Sequence, residues 1–167
     1  MRSGDHIHLS SIASVPHILV EALCRRAGEL QDVHFHHFHT EGPAPYGEEA
    51  FAGSFFDQGF FIGPNVRSSV NAGWADYLPA HLSESQALYR SGALPCDVAF
   101  VQVSEPVDGM VSLGTSVDCS PAALEVARER IAVVNVVIEH GGGLKTYYFH
   151  LSSINVKEGD IVEQGDI

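Results

Sequence analysis

Basic residues are scarce in this chain. Its 167 residues include nine Lys and Arg against 21 Asp and Glu, which gives a formal net charge of −12. A protein that neutralises nucleic-acid phosphates needs a surplus of Lys and Arg, so this balance argues against nucleic acid as a partner.

Long apolar runs are also missing. No stretch approaches the roughly 18 consecutive apolar residues of a membrane span. The first residues, MRSGDHIHLSS, lack the apolar core of about 7–15 residues that a signal peptide carries. The sequence therefore predicts a cytoplasmic protein without a membrane partner.

Cysteine is rare, and the cysteines present are not spaced as a set of disulfides would be. The three residues Cys24, Cys96 and Cys119 are an odd number with no CxxC spacing. This pattern favours buried thiols in a reducing compartment over a set of disulfides.

The segment from Leu94 to Asp118 organises the rest of the chain. Its first part, Val98–Val103, is almost continuously apolar and β-favouring, which is typical of a parallel strand covered on both faces. Turn residues follow, and Met110–Leu113 is predicted as a second short strand. A chain of this length can bury enough surface for one α/β domain with a short appendage.

The other elements alternate between strand and helix. A helix with an apolar stripe from Val15 to Leu30, capped by Ser14, separates the predicted strands His6–Leu9 and Val33–Phe38. The same reasoning predicts, in chain order, a short helix capped by Asn65, a strand at 75–78, a helix at 82–90 with Ser83 as cap, a helix from Ser120 through Arg130, and a strand at 131–138. The fold class is therefore α/β, an open and mostly parallel sheet with flanking helices.

Histidine is concentrated in the tract HFHHFH at residues 34–39. Strand alternation brings only pairs of these histidines to one face, such as His34 with His36. No nearby Cys or carboxylate completes a ligand set at zinc-like spacing. We expect partly hydrogen-bonded histidines at a strand end, and no metal.

Two loops are candidates for a binding site. EGPAPYG, residues 41–47, contains two prolines and two glycines and follows a predicted strand, where open α/β sheets place ligand sites. In GPNVRSSVNAG, Arg67 would lie in the first turn of a helix and could reach a phosphate.

Several long motifs occur here in one order: SGDHIHLSSIASVPHILVEAL, HTEGPAPY, FIGPNVRSSVNAGWADYLP, HLSESQALYRSGALPCDVAFVQVS, and SLGTSVD followed by ARERIAVVN. Over residues 3–135 the chain thereby resembles the N-terminal domain of the acetyl-CoA hydrolase/transferase family, particularly its 4-hydroxybutyrate CoA-transferase-like members. The segment SEPVDGMVSLG is shorter and less regular than the usual turn of that family.

The resemblance implies an enzyme that moves CoA between carboxylic acids through a glutamyl thioester, with acyl-CoA or CoA as substrate. In the family the nucleophilic glutamate lies in the C-terminal domain, so residues 1–135 would supply only the N-terminal half of the site. No catalytic residue is then expected in this chain, and a complementary C-terminal half or a second copy would be its partner. The substrate-binding residues implied are Ser10, Ser11, Glu41, Asn65 and Arg67.

Residues 136–167 form a second predicted unit. The GGG turn after His140 lies between Val136–Glu139 and Lys145–His150, which predicts a β-hairpin. The segment resembles part of the lysostaphin-type zinc endopeptidase domain, in which a histidine at the position of His150 assists a zinc-bound water. The family's HxxxD and HxH ligand pairs do not accompany it, so peptidase activity is not expected.

Three interpretations follow from the sequence. The main one is a CoA-transferase-like half-site, inactive without its glutamate-bearing half. The alternative is a non-catalytic remnant of a cell-wall endopeptidase domain, the only interpretation that calls for zinc. The third is a fragment without activity of its own.

Overall fold

The computed structural model describes residues 1–134, 136–139, 145–148 and 161. Six strands form one parallel sheet in the order β4-β3-β2-β1-β5-β6. The strands are β1 (His6–Leu9), β2 (Val33–His37), β3 (Phe55–Gly59), β4 (Ala75–Tyr77), β5 (Val98–Val103) and β6 (Glu129–Val134). This sheet confirms the predicted open α/β class.

Four α-helices connect these strands. They are α1 (His17–Cys24), α2 (Arg67–Ala72), α3 (Ser85–Arg90) and α4 (Ser120–Val126). Gly73 ends α2 in the left-handed conformation, with φ of 83°, which a residue without Cβ adopts at little cost. Pro121 lies in the first turn of α4, where its missing N–H costs nothing.

The sheet buries an apolar core on each face. One face carries the odd-numbered residues of β1 and the aligned residues of its neighbours, packed beneath α1: Ile7, Leu9, Val20, Leu23, Leu30, Val33, Phe35, Tyr46, Phe55, Val98 and Phe100. The opposite core joins α3 and α4: Phe38, Phe60, Tyr89, Leu94, Cys119, Ala122 and Ala123. All six residues of β5 are buried, as its continuous apolar run predicts.

Several predicted boundaries are wrong. The first helix is confined to His17–Cys24, because separate 3₁₀ turns at Ile12–Ser14 and Ala27–Glu29 flank it. The predicted helix at 82–90 begins as a 3₁₀ turn. Its N-cap is His81 rather than the predicted Ser83, and the His81 N–H donates to the Glu84 carboxylate. The last helix ends at Val126, since β6 begins at Glu129.

The predicted strand Met110–Leu113 is also wrong. Only an isolated bridge joins Val107 to Met110, and both side chains are exposed. Strand-forming residues without a partner strand or a core to pack on do not form a strand, because β-propensity depends largely on burial.

The predicted hairpin is confirmed within the described residues. Strands β7 (Val136–Glu139) and β8 (Lys145–Tyr148) pair antiparallel, with Val136 opposite Tyr148. His150 lies outside the described residues. Within the described part of the chain, none of the helices combines the length and the apolar character that crossing a bilayer requires.

Candidate functional site

The strand order creates a switch point between β1 and β5. From β1 the chain moves outward through β2, β3 and β4, and β5 then pairs with the other side of β1. In open α/β sheets ligands bind outside the carboxyl ends of the strands at such a point. The loop of residues 10–16 after β1 and the loop of residues 104–119 after β5 border this position.

Ser10 and Ser11 follow β1 directly, and both are buried. The Ser10 hydroxyl donates to the Ser14 carbonyl and accepts the Gln102 N–H at 3.2 Å. The Ser11 hydroxyl accepts the Phe38 N–H at 3.0 Å. These hydroxyls therefore tie the loop after β1 to the ends of β5 and β2, beneath the surface on which a substrate would lie.

Ile12 has a backbone conformation that the sequence gave no reason to expect. Its φ is 52°, in the left-handed region that β-branched residues avoid. Its N–H donates to the His39 carbonyl at 2.9 Å, and its side chain is 46% exposed. Strain of this kind persists only where the surroundings impose it, and it clusters at functional sites.

Asn65 is joined to the loop that carries Glu41. Its Nδ2 group donates to the carbonyls of Thr40 at 3.1 Å and Gly42 at 2.9 Å. The predicted cap role of Asn65 is wrong: Val66 occupies the N-cap position of α2, without a side-chain cap bond. The amide therefore fixes the loop rather than the helix.

The Glu41 carboxylate lies at the surface beside His39. Glu41 Oε1 is 2.7 Å from His39 Nε2. The His39 carbonyl also accepts the Ile12 N–H. Residues 39–41, which follow β2, therefore connect the loop after β1 to Glu41.

An open cavity of about 420 Å³ lies between this loop and α2. The loop side supplies Gly42, Pro43, Ala44, Gly47, Glu48 and Glu49, and the helix side Asn65, Ser68, Ser69 and Trp74. Arg67 begins α2 beside it and is exposed, and within the described chain no carboxylate forms an ion pair with it. Glu41, Asn65 and Arg67 thus lie beyond the carboxyl ends of β2 and β3, while Ser10 and Ser11 are buried in the neighbouring loop after β1.

The histidines of the tract at residues 34–39 make contacts within the sheet and at its end. His34 contacts Gln58 and Asp32, and His37 forms a fully buried pair with Asp57 at 2.8 Å. His36 lies 2.8 Å from His6, and burial, followed by the nearby His6 and His34, lowers the pKa of His36 to about 2. His34 and His36 thus share the His6 ring as a neighbour, whereas His37 and His39 contact the separate carboxylates of Asp57 and Glu41.

Asp118 borders the switch point from the side of β5, and sequence reasoning did not single it out. Its φ is 32°. Its Oδ1 atom accepts the N–H groups of Cys119 and Ser120, whereas Oδ2 is buried without a hydrogen bond. Burial raises the pKa of its carboxyl group. The motif SLGTSVD contained the only sequence signal for this position.

Known proteins are similar to this chain in sequence and in fold. The family model described as acetyl-CoA hydrolase/transferase N-terminal domain matches residues 1–155. The chain is 34% identical over 138 residues to a succinyl-CoA:acetate/propanoyl-CoA:succinate CoA transferase of Fasciola hepatica, covering 81% of this chain. It is 36% identical over 118 residues, 70% of this chain, to a 4-hydroxybutyrate coenzyme A transferase of Clostridium kluyveri. The chain spans only 28% of the length of each of these two relatives.

Solved structures agree on the fold. The crystal structure of RipA from Yersinia pestis matches 80% of this chain, and 34% of its own, with a TM-score of 0.71 and 24% identity. A 4-hydroxybutyrate CoA-transferase from Porphyromonas gingivalis matches 79% of this chain, and 29% of its own, with a TM-score of 0.63 and 26% identity.

The family match bears on the second predicted unit as well. It continues to residue 155, about 20 residues beyond the predicted junction at Asn135, and none of the comparisons supports the lysostaphin-type resemblance. The domain boundary itself stays a prediction. With a family match over most of its length, the chain belongs to the acetyl-CoA hydrolase/transferase family.

Proposed function

We propose that this chain provides the N-terminal half of an acyl-CoA site in a CoA-transferase or acyl-CoA hydrolase. One observation carries the proposal: the Asn65 amide holds the loop of Glu41 beside a cavity, next to Arg67, which forms no ion pair with the described residues. The family membership and the CoA transferases among the relatives support the same substrate class.

The charges on this edge suit a CoA ligand. CoA carries phosphate groups, and a guanidinium offers a planar set of N–H donors that matches phosphate oxygens. In a chain with a formal net charge of −12, Arg67 places a positive charge directly beside the cavity that Ser68 lines. We assign Arg67 to the phosphate groups, and Glu41 and Asn65 to the acyl and thioester end.

The buried serines have a positioning role in this proposal. Ser10 and Ser11 hold the loop after β1 in place through its neighbouring strands, and that loop presents Ile12 to the substrate. The carboxylate nucleophile, which splits acyl transfer into two easier steps, belongs to the C-terminal half of the family enzyme. Turnover therefore requires that C-terminal half together with the residues described here.

The fluorescence of Trp74 can report CoA binding in the cavity. Trp74 is the chain's single tryptophan and lines the cavity. We expect CoA and acetyl-CoA to change its fluorescence in a saturable titration. Arg67→Gln should weaken binding about 10-fold or more, in keeping with the loss of a charge-assisted hydrogen bond.

The matched control is Arg25→Gln, which removes an exposed cation at the end of α1, outside the cavity. If both variants bind CoA as well as the unchanged chain does, Arg67 has no role in phosphate binding. If the unchanged chain shows no saturable response to CoA, the proposal of a half-site able to bind CoA fails.

A further inference from the structure

A second group of reactive side chains lies away from the cavity. His8 projects from β1 into the core beneath α3 and α4, and Asp118 and Cys119 immediately precede α4. One ligand atom from each of the three residues lies within 4.8 Å of the other two. We propose that His8, Asp118 and Cys119 form a binding site for a thiolate-preferring divalent transition metal, with Zn²⁺ as the best fit.

His8 is oriented and in the right protonation state for a metal ligand. Its Nδ1 lies 3.1 Å from the Tyr89 hydroxyl, and its Nε2 lies 2.9 Å from the Ser120 hydroxyl beside the other two ligands. Metal-bound histidines characteristically use their second ring nitrogen in such a hydrogen bond, which fixes the ring. Its full burial favours the neutral imidazole that binds metals, and Nε2 becomes available when a metal displaces the Ser120 hydroxyl from it.

Asp118 has a carboxylate oxygen without a partner. Oδ1 accepts the backbone N–H groups that follow it, while Oδ2 is shielded from solvent and has no hydrogen-bond partner of good geometry, although the Cys119 thiol and the Ser11 hydroxyl lie near the carboxylate. A carboxylate oxygen shielded from solvent is destabilised unless a proton or a cation neutralises it. A metal ion bound at Oδ2 would remove this destabilisation.

Cys119 supplies the ligand that selects the metal. Its side chain is fully buried, and burial together with the Asp118 charge raises the pKa of its thiol well above its ordinary value. Zn²⁺ binding replaces the thiol proton, which is released to solvent, by a Zn–S bond. The charge of +2 is then balanced by one thiolate and one carboxylate, so the buried site is neutral.

The geometry requires a small adjustment. Zinc bonds of about 2.0–2.3 Å place tetrahedral ligand atoms roughly 3–4 Å apart. The three ligand atoms, at separations up to 4.8 Å, must therefore approach by about 1 Å. Binding also exchanges the hydrogen bond between His8 and Ser120 for a metal–nitrogen bond. Asp118 is only half-buried and follows the exposed loop of residues 104–117, which gives the ion a route to the site.

Cobalt absorption tests the site in the full 167-residue chain. Titration with Co²⁺ should give a thiolate-to-Co²⁺ charge-transfer band that saturates at one equivalent, and Zn²⁺ should abolish it. Cys119→Ser should eliminate the band, whereas Cys96→Ser and Cys24→Ser should retain it. Tyr89→Phe, which removes the partner of His8 Nδ1, should weaken metal affinity by about 10- to 100-fold.

Three results would contradict the proposal. The unchanged chain could give no stoichiometric band, the band could survive Cys119→Ser, or the band could be lost only in Cys96→Ser. A band lost in His150→Ala but retained in Cys119→Ser would place the metal in the C-terminal segment. X-ray absorption of the zinc-loaded, unsubstituted chain does not depend on variant folding, and it should show one Zn–S distance of about 2.3 Å with nitrogen and oxygen as the other neighbours.

Discussion

The Nδ1 atom of His6 lies 2.8 Å from the Nε2 atom of His36, across the neighbouring parallel strands β1 and β2. The two ring planes are almost parallel, at 4°. Only one ring of such a pair can donate, so the contact requires that at least one ring is neutral. The pair is therefore a neutral-imidazole contact within a folded sheet.

This pair predicts that acid destabilises the fold. Burial, and next the neighbouring His34, lowers the pKa of His6, and burial lowers that of His36 to about 2, whereas both would titrate near 6.5 when unfolded. Below about pH 6.5 the unfolded chain therefore binds protons at these histidines that the folded chain does not bind. The stability that His36 contributes as a neutral ring is present in full at about pH 7.5 and should fall by up to about 1.4 kcal/mol per pH unit below about pH 6, and His6 acts in the same direction.

Urea unfolding at pH 7.5, 6.0 and 5.0 measures this dependence. His36→Asn should flatten it, and His81→Asn, which changes an exposed histidine, should leave it unchanged. Equal free energies of unfolding at pH 7.5 and 5.0 would contradict the assignment of a neutral His36 in the fold.

The Asn65 amide should control the order of the loop that carries Glu41. Asn65→Ala removes both hydrogen bonds to the Thr40 and Gly42 carbonyls, which together contribute roughly 1–2 kcal/mol. We expect faster amide hydrogen exchange across residues 40–47. Asn71→Ala, an exposed change within α2, should leave that exchange unaltered, and equal exchange in both variants would contradict the role of Asn65.

Gly59 should tolerate no side chain. A Cβ there would lie 2.8 Å from His37 Cε1 and 2.9 Å from the Phe61 carbonyl oxygen. Gly59→Ala should therefore lower the free energy of unfolding by about 1–3 kcal/mol, because the buried His37 and the backbone cannot both move away. Gly28→Ala is the control, since a Cβ there meets open space. A melting temperature unchanged by Gly59→Ala would contradict this packing.

The strain at Ile12 should reverse the usual order of alanine and glycine. At a φ of 52°, a residue with a Cβ is strained by about 1–2 kcal/mol, and glycine is not. Ile12→Gly should therefore be more stable than Ile12→Ala by roughly 0.5–1.5 kcal/mol, as thermal unfolding can measure. The opposite order would show that the backbone at residue 12 relaxes on substitution.

Sequence periodicity predicted the strands of the sheet better than its helices. β5 is fully buried because its apolar run has no polar face, whereas β1 was assigned from its short length and β3 was not predicted as a strand. Helix ends depend on backbone hydrogen bonds made elsewhere. Asn65 could have capped α2, but its amide instead contacts two carbonyls more than 20 residues earlier in the chain.

The candidate site was only partly accessible from sequence. Turn chemistry and the Arg67 position indicated the edge of the sheet where Glu41 and Asn65 meet. Nothing in a linear pattern predicts the hydrogen bond from the Phe38 N–H to Ser11 or brings His8 to Cys119, because such contacts arise from the pairing of β1 with β2 and from the packing of α4 over β1. Backbone strain at Ile12 has no sequence signature either, since isoleucine is a residue that local preference keeps away from that conformation.

The position of β1 at the centre of the sheet has a consequence during synthesis. Leu9 emerges from the ribosome about 90 residues before the β5 strand that pairs with it. At roughly 5–20 residues per second, the nascent chain presents the open edge of β1, with Ile7 and Leu9, for about 5–20 s. Such an unpaired apolar edge is prone to aggregation, so the nascent chain is at its most vulnerable until Val98–Val103 is made.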